Sequence, residues 1–201
     1  MEFLTLATLV ALGAYVLKSR DQSRRIALLA AHLGNYQIEK LMESLTDGYL
    51  RWLGETDPAR REQIWNLLDT TEQTLSTQFN SFAADFAKVD EAQARASKFP
   101  LALPFVHRLF PGSAFDARRA FAIHARGISE VAANSLRRTP KDKAFTMSAE
   151  LFLMQHTCHW FCRSKAVASA RMLARHKTSY AQLVDAVAPD TRRAYCKLIE
   201  A

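Results

Sequence analysis

Glycine and proline are scarce in this chain of 201 residues, which contains six of each. A β-sandwich or β-barrel needs turn residues every ~8–12 positions, so this scarcity disfavours both folds. Alanine, leucine, arginine, glutamate and glutamine, which all favour helices, supply much of the remainder. With 49% hydrophobic residues, the chain can bury a core of its own. These features predict one all-α domain.

Cysteine is rarer still, and its three copies, Cys158, Cys162 and Cys196, all fall in the last quarter of the chain. A disulfide framework needs an even and dispersed set of cysteines, which this chain lacks. The cysteines therefore predict a reducing compartment.

Motifs that mark common enzymes are also missing. The sequence contains no glycine-rich phosphate-binding loop, no dinucleotide-binding fingerprint, no H-E-x-x-H and no C-x-x-C. No serine or threonine is predicted to lie in a strand–turn–helix elbow, because no strands are predicted. Whether the protein is an enzyme stays open, and the missing motifs favour a role without catalysis.

Positive charge is concentrated in the second half of the chain. Residues 1–110 carry 12 basic and 13 acidic side chains, whereas residues 111–201 carry 15 and 7, and the formal net charge is +7. Such a basic half suits an anionic partner, either lipid headgroups or nucleic acid. A basic, solvated surface without a partner is the alternative.

An uncharged run, Phe3–Leu17 (FLTLATLVALGAYVL), lies close to the N-terminus. As a helix it is about 22 Å long, short of the ~30 Å hydrocarbon core, but flanking basic side chains can reach towards the headgroups. We therefore predict a single transmembrane helix with a basic flank, residues 1–20. A cleaved signal peptide, with Ala11–Gly13 at its cleavage site, and a buried core helix are the alternatives.

The flanking charges predict the orientation of this helix. Only the amino group and Glu2 precede the apolar run, whereas four basic residues follow it: Lys18, Arg20, Arg24 and Arg25. Under the positive-inside rule the N-terminus lies outside, and residues 21–201 form a cytoplasmic domain. The bias towards alanine, leucine and arginine is typical of a bacterium, so the expected location is a bacterial inner (plasma) membrane.

Apolar periodicity and capping residues predict a bundle of about five to seven helices in residues 21–201. N-caps are expected at Thr56 or Asp57 and at Thr139, each followed by a proline in the first turn. The predicted helices cover residues 21–53 with an interruption at 34–35, then 58–89, 115–136, 140–174, 179–187 and a last helix ending at 199.

Residues 99–112 (FPLALPFVHRLFPG) interrupt the helical pattern, since their three prolines forbid a long regular helix. The segment is too apolar for a solvated linker. We expect it to lie on the bundle as a hydrophobic crossover. A segment that enters the membrane interface and a docking patch for a partner are the alternatives.

Two histidines and two cysteines fall within the eight residues of QHTCHWFC, 155–162. The surrounding residues are apolar on nearly every side, which predicts a central, buried helix with these polar groups inside. A structural role without a cofactor is the main interpretation. The alternatives are a reactive thiol and a metal or haem site with His156, Cys158, His159 and Cys162 as ligands. His159 and Cys162 are spaced to chelate one ion, but the local sequence supplies no further ligand.

Basic residues crowd the stretch ARRAFAIHARG. Arg118, Arg119, His124 and Arg126 are candidates for an anion pocket that takes phosphate or carboxylate, with an ordinary basic surface as the alternative. Nucleic acid binding through the arginines of this region is disfavoured by the predicted anchor and by the lack of interleaved tryptophan or tyrosine.

Together these features predict a membrane-anchored helical protein without catalytic activity, which binds another protein or anionic lipid at the cytoplasmic face of the membrane. A helical-bundle metal or haem protein is the alternative, and a nucleic-acid-binding protein is the second alternative.

Overall fold

The computed structural model describes residues 2–100 and 111–200. These residues form nine α-helices and one small antiparallel sheet, and the structure is 82% helical, so the all-α class is confirmed. A 3-10 turn, Pro111–Ser113, precedes the second strand. The elements in chain order are α1 (Glu2–Leu33), α2 (Ile38–Gly54), α3 (Pro58–Phe86), α4 (Glu91–Ala94), β1 (Arg95–Ser97), β2 (Ala114–Asp116), α5 (Ala117–Ala133), α6 (Pro140–Cys162), α7 (Lys165–His176), α8 (Tyr180–Ala186) and α9 (Pro189–Glu200).

Capping side chains begin two helices where the sequence predicts them. The Asp57 carboxylate accepts hydrogen bonds from two amides of the first turn of α3. The Thr139 hydroxyl accepts one from the amide of Asp142 in the first turn of α6. Each cap satisfies amides that the first turn of a helix leaves without a helical partner.

The sheet corrects the prediction that the chain has no strands. Phe115 was expected to begin a helix, but it lies in β2, where it pairs with Ala96 of β1. Asp116 then caps α5 by accepting a hydrogen bond from the amide of Arg118. Strands of three residues are too short to show the alternating pattern by which a strand is recognised in a sequence.

The helix expected over residues 140–174 is two helices, because the chain turns at Arg163 and Ser164. Arg163 has a non-helical backbone (φ −131°, ψ −88°). The Ser164 hydroxyl accepts a hydrogen bond from the amide of Val167 and so caps α7. A lone serine also occurs inside helices, so the sequence alone does not mark this break.

Most of the apolar crossover, residues 101–110, lies outside the described residues. The described residues on either side of it are hydrogen-bonded to the domain. The amide of Ala166 donates to the carbonyl of Pro100 (3.1 Å), and the amide of Lys98 donates to the carbonyl of Ser113 (2.8 Å).

The central helix of the bundle is α6, which packs against α1, α2, α5, α7 and α8. Its burial confirms the prediction made from its all-round apolar sequence. Phenylalanines fix it against its neighbours: Phe86 of α3 meets Phe121 of α5 and Phe161 of α6 edge to face, with ring centroids 4.9 and 5.7 Å apart. Edge-to-face pairs are the favourable arrangement for aromatic rings in a core.

The helix α1 is continuous, but its two halves differ in burial. Residues 3–17 are exposed on every side, whereas Leu29 is buried in the core. By length and composition this helix could cross a membrane, and none of its apolar window is buried in the protein. A signal sequence has the same properties. The helix runs unbroken through residue 20, the expected end of the anchor.

The helix α6 runs antiparallel to α1, so the C-terminal end of α6 lies nearest the apolar half of α1. Arg163, which follows α6, donates to the side chain of Gln22 (3.0 Å), and Arg25 donates to the carbonyl of Arg95 in β1 (2.8 Å). We call this end of the domain the basal end. It comprises the 163–165 turn, α4, β1, β2, the first turn of α5 and the last turns of α9.

Contacts with α6 show the direction of α9. The Glu150 carboxylate accepts a hydrogen bond from the amide of Ala188 at the start of α9 (3.0 Å), and the hydroxyls of Thr157 and Tyr195 lie 3.2 Å apart. The helix α9 therefore runs parallel to α6 and ends near the basal end. Since β2 pairs with β1 and leads directly into α5, α5 begins there too.

Candidate functional site

The histidines and cysteines of residues 155–162 face different parts of the structure. His156 is buried, and its Nε2 lies 3.0 Å from the hydroxyl of Ser169. Burial lowers the pKa of His156 to about 3, so its ring is neutral at physiological pH. Cys158, His159 and Cys162 instead line a cleft. Three of the four candidate metal ligands thus line one cleft, and the fourth does not.

This first cleft, which we call the stem cleft, has a volume of about 880 Å³. It lies between the second half of α1, the start of α2, the end of α6 and Arg171 of α7. Apolar side chains such as Leu29, Leu33, Ile38 and Met154 form much of its wall. Exposed charged side chains complete the lining: Glu39, Lys40, Glu43, Arg163 and Arg171.

The two thiols of the stem cleft are held in the protonated form. Burial raises the pKa of Cys158 far above its usual value and raises that of Cys162 to about 11. The thiolate is the form that binds metals and attacks electrophiles, so neither thiol is activated at neutral pH. In the residues that the structure describes, no group of three or more histidine, cysteine, aspartate or glutamate side chains could hold a metal ion. Metal or haem binding stays a prediction.

The four candidate anion-binding residues also separate. Arg118 pairs with Asp116 (2.7 Å) and is therefore already neutralised. His124 is fully buried, with Nε2 2.8 Å from the hydroxyl of Thr157. Burial lowers the pKa of His124 to about 3, so it carries no charge for an anion. Arg119 and Arg126 alone among the four line a cleft.

This second cleft, which we call the basic cleft, has a volume of about 760 Å³. Its walls come from α4, β1, β2, α5 and the end of α9, so it lies at the basal end. Five basic side chains line it: Arg95, Lys98, Arg119, Arg126 and Lys197. Apolar residues supply much of the remaining lining: Ala114, Phe115, Ala122, Ile123, Ala194 and Leu198.

The two acidic residues of the basic cleft are already paired. Glu91 pairs with Arg95 (2.9 Å) and lies 3.6 Å from Arg118, while Asp116 pairs with Arg118 and caps α5. The side chains of three basic residues in the cleft make no ion pair or hydrogen bond within residues 2–100 and 111–200: Arg119, Arg126 and Lys197. The basic cleft is therefore a concave surface with uncompensated positive charge.

Sequence reasoning finds two of the five basic residues in this cleft. Arg95 and Lys98 reach it through the pairing of β1 with β2, and Lys197 reaches it because α9 packs beside α5. Nothing in the local sequence marks these three residues, since each joins the cleft through a contact distant in the chain.

A buried ion network joins α2, α3 and α6 at the other end of the domain, and the sequence does not predict it. The Lys143 ammonium lies 2.7 Å from Asp69 and 2.5 Å from Glu72, and Tyr49 donates to Glu72 (2.5 Å). Burial raises the pKa of Glu72, while Lys143 and Tyr49 partly offset that rise. None of these four residues lines the stem cleft.

A second buried carboxyl, Glu150, lies where α5, α6 and α9 meet. It accepts a hydrogen bond from the amide of Ala188, the residue directly before α9. This amide has no acceptor within α9, because the first amides of a helix have no helical partner. Burial raises the pKa of Glu150 to about 7, although the nearby Thr191 hydroxyl and the hydrogen bond from Ala188 oppose the rise. Gly127 permits this packing, because a side chain there would overlap Thr191 and Glu150.

The chain matches no family model, and neither a curated protein nor a solved structure is significantly similar to it.

Proposed function

We propose that α1 anchors this protein in a bacterial inner membrane and that the basal end of its cytoplasmic domain binds anionic lipid headgroups, without catalysing a reaction. The observation that carries the proposal is the short distance along α1 between its apolar run and the basal end.

That distance follows from the helix geometry. Gln22 and Arg25 contact the basal end, and they lie five and eight residues beyond Leu17. At 1.5 Å per residue, the separation is about 8–12 Å. The headgroup region extends about 5–8 Å beyond the hydrocarbon core on each side. With Leu17 at the edge of the core, the basal end lies at the outer edge of the headgroups, within about one Debye length of their charges.

The charge of the basal end supports the same proposal. Lys18, Arg20 and Arg24 flank the apolar run, Arg163 is exposed in the 163–165 turn, and the basic cleft opens nearby. A basic side chain near an anionic membrane surface contributes about 1 kcal/mol to binding. The folded domain thus adds charge to that of the juxtamembrane sequence itself.

The anchor can be tested on the full chain expressed in bacteria. We expect the protein to stay in the membrane fraction after an alkaline wash, and we expect its intact mass to include residues 1–20. A mature chain that begins near residue 14 would show a cleaved signal peptide and overturn the anchor. Release by the alkaline wash would show that α1 does not span the bilayer.

Headgroup binding can be tested by hydrogen exchange on the full chain in nanodiscs. We expect amides of residues 97–99 and 163–166 to exchange more slowly in discs that contain phosphatidylglycerol than in phosphatidylcholine discs. We also expect high salt to remove the difference, because exposed charges are screened. Equal exchange in both discs would contradict the proposal.

A matched pair of variants controls for overall charge. Arg163→Glu reverses an exposed charge at the basal end, whereas Arg51→Glu reverses an exposed charge at the distal end, where α2 ends and α6 begins. Only the basal variant should lose the lipid-dependent protection. Equal loss in both variants would indicate an effect of net charge alone.

A further inference from the structure

Three segments that are distant in the chain converge on the basic cleft. Arg119 and Arg126 lie seven residues apart, and therefore two turns apart on one side of α5. Lys98, which follows β1, and Lys197, near the end of α9, line the same cleft. A surface helix often carries a basic stripe, but cations from three elements facing one concavity are the arrangement of a binding site.

Three of the five positive charges in this concavity have no ion-pair or hydrogen-bond partner among the residues that the structure describes. Both acidic lining residues are paired with other arginines, and Arg119, Arg126 and Lys197 make no ion pair in the described parts of the chain. A cleft lined by one sign of charge concentrates its field and attracts counter-ions. An anion placed here would meet three cations that need not break an existing pair to bind it.

The geometry points to a phosphate group as that anion, and we propose that the basic cleft binds a phosphate monoester. Guanidinium groups bind phosphate oxygens through two parallel hydrogen bonds, and lysine adds a point charge. A phosphate monoester carries between about −1.5 and −2 charges at pH 7, which matches several cations better than a single carboxylate does.

The remaining lining leaves room for the organic part of such a ligand. Ile123, Ala194 and Leu198 give the cleft apolar walls, and its volume of about 760 Å³ lies in the usual range for small-molecule pockets. A nucleic acid strand fits less well, because Phe115, the aromatic residue in the described lining, is 2% exposed and cannot stack on a base.

Two sources could supply the phosphate monoester: a soluble phosphorylated compound or the headgroup of phosphatidic acid. The lipid source rests on the proposed function, since it needs the basal end to lie at the membrane surface. The soluble source does not. The experiment below distinguishes them.

The test uses the full chain in phosphatidylcholine nanodiscs, titrated with glycerol 3-phosphate at constant ionic strength in a calorimeter. We expect saturable binding at one site. Arg119→Gln with Arg126→Gln should weaken binding at least tenfold. The matched control, Arg192→Gln with Arg193→Gln, removes two charges from α9 outside the cleft and should leave the affinity unchanged.

A second set of discs that contain phosphatidic acid identifies the source. Loss of glycerol 3-phosphate binding in these discs would show that the lipid headgroup occupies the cleft, and retained binding would assign the cleft to a soluble ligand. Both outcomes support the phosphate site. The hydrogen-exchange experiment tests the proposed function separately, since lipid-dependent protection of residues 163–166 does not require a ligand in the basic cleft. Failure of the proposed function can therefore be distinguished from failure of the phosphate site.

Absence of glycerol 3-phosphate binding, or equal weakening by the cleft and control variants, would overturn the proposal. If the double variant does not fold, Lys197→Gln tests the same cleft from α9 with a smaller change. Its unfolding midpoint should match that of the wild type, while its affinity for glycerol 3-phosphate should fall. Unchanged affinity in a folded Lys197→Gln protein would also count against the site.

Discussion

Replacing Lys143 with methionine tests the buried ion network between α2, α3 and α6. Lys143 is 2% exposed and Glu72 is fully buried, with 2.5 Å between the ammonium and the carboxylate. Methionine retains much of the apolar stem of lysine but removes the charge. The variant therefore leaves a buried carboxylate without its cationic partner, while the Tyr49 hydroxyl can still donate to it.

The expected cost is large and depends on pH. Removing one partner of a buried ion pair destabilises a protein by about 3–5 kcal/mol. Burial already raises the pKa of Glu72, and loss of Lys143 removes a group that lowers it. A carboxyl group whose pKa is higher in the folded state than in the unfolded state stabilises the fold at pH values below its unfolded pKa. This contribution to the free energy of unfolding is lost as pH rises towards the folded-state pKa. The variant should therefore be least stable, relative to the wild type, at pH 8 and less impaired at pH 5.

Urea unfolding of the full chain in nanodiscs, followed by circular dichroism at both pH values, measures this cost. Lys143→Met with Glu72→Gln should recover part of the lost stability at pH 8, because the buried charge is gone. A loss below about 1 kcal/mol at pH 8, the same at pH 5, would refute the argument that this pair is buried and mutually dependent.

Three further predictions concern other buried groups. Because burial raises the pKa of Glu150 from its ordinary value of 4.5 to about 7, its protonated form stabilises the fold, and this contribution falls by about 1.4 kcal/mol per pH unit as pH rises from about 4.5 to about 7. Glu150→Gln should flatten that part of a stability–pH curve measured by urea unfolding, and an unchanged slope would contradict the prediction. Gly127→Ala should lower stability in the same assay by about 1–3 kcal/mol, because the added methyl group would lie 2.6 Å from the Glu150 carboxylate. Gly54→Ala, which meets nothing within 4 Å, is its control. Since burial raises the pKa of Cys162 to about 11, iodoacetamide should alkylate it at pH 8 much more slowly than free cysteine, as measured by peptide mass spectrometry. Alkylation at the rate of free cysteine would show an exposed or activated thiol.

Local signals predict several helices of this fold well, because their capping residues and apolar faces are encoded in neighbouring residues. Asp57 and Thr139 cap α3 and α6 as expected, and the all-round apolar sequence of α6 identifies it as the central helix. The exposed apolar half of α1 also follows from its composition. In these elements a few adjacent residues determine the structure.

The features that the sequence does not predict depend on contacts between distant residues. Phe115 joins a strand because β1 is available to pair with it, although its own sequence suits a helix. The sequence places His124 among arginines and predicts an anion pocket, yet His124 is buried against Thr157. Lys197 joins the basic cleft only because α9 lies beside α5. Tertiary packing determines the position of all three residues, and the residues next to them in the sequence do not predict that packing.

The uninterrupted α1 couples the domain mechanically to the bilayer, if the helix spans it as proposed. No glycine or proline lies between Ala14 and Leu33, and the second half of α1 is packed into the core, so no flexible joint separates the two parts. The helix α6 extends the domain about 34 Å from the basal end. A change of about 20° in the tilt of α1, a typical tilt for a transmembrane helix, would swing the distal end sideways by about 12 Å.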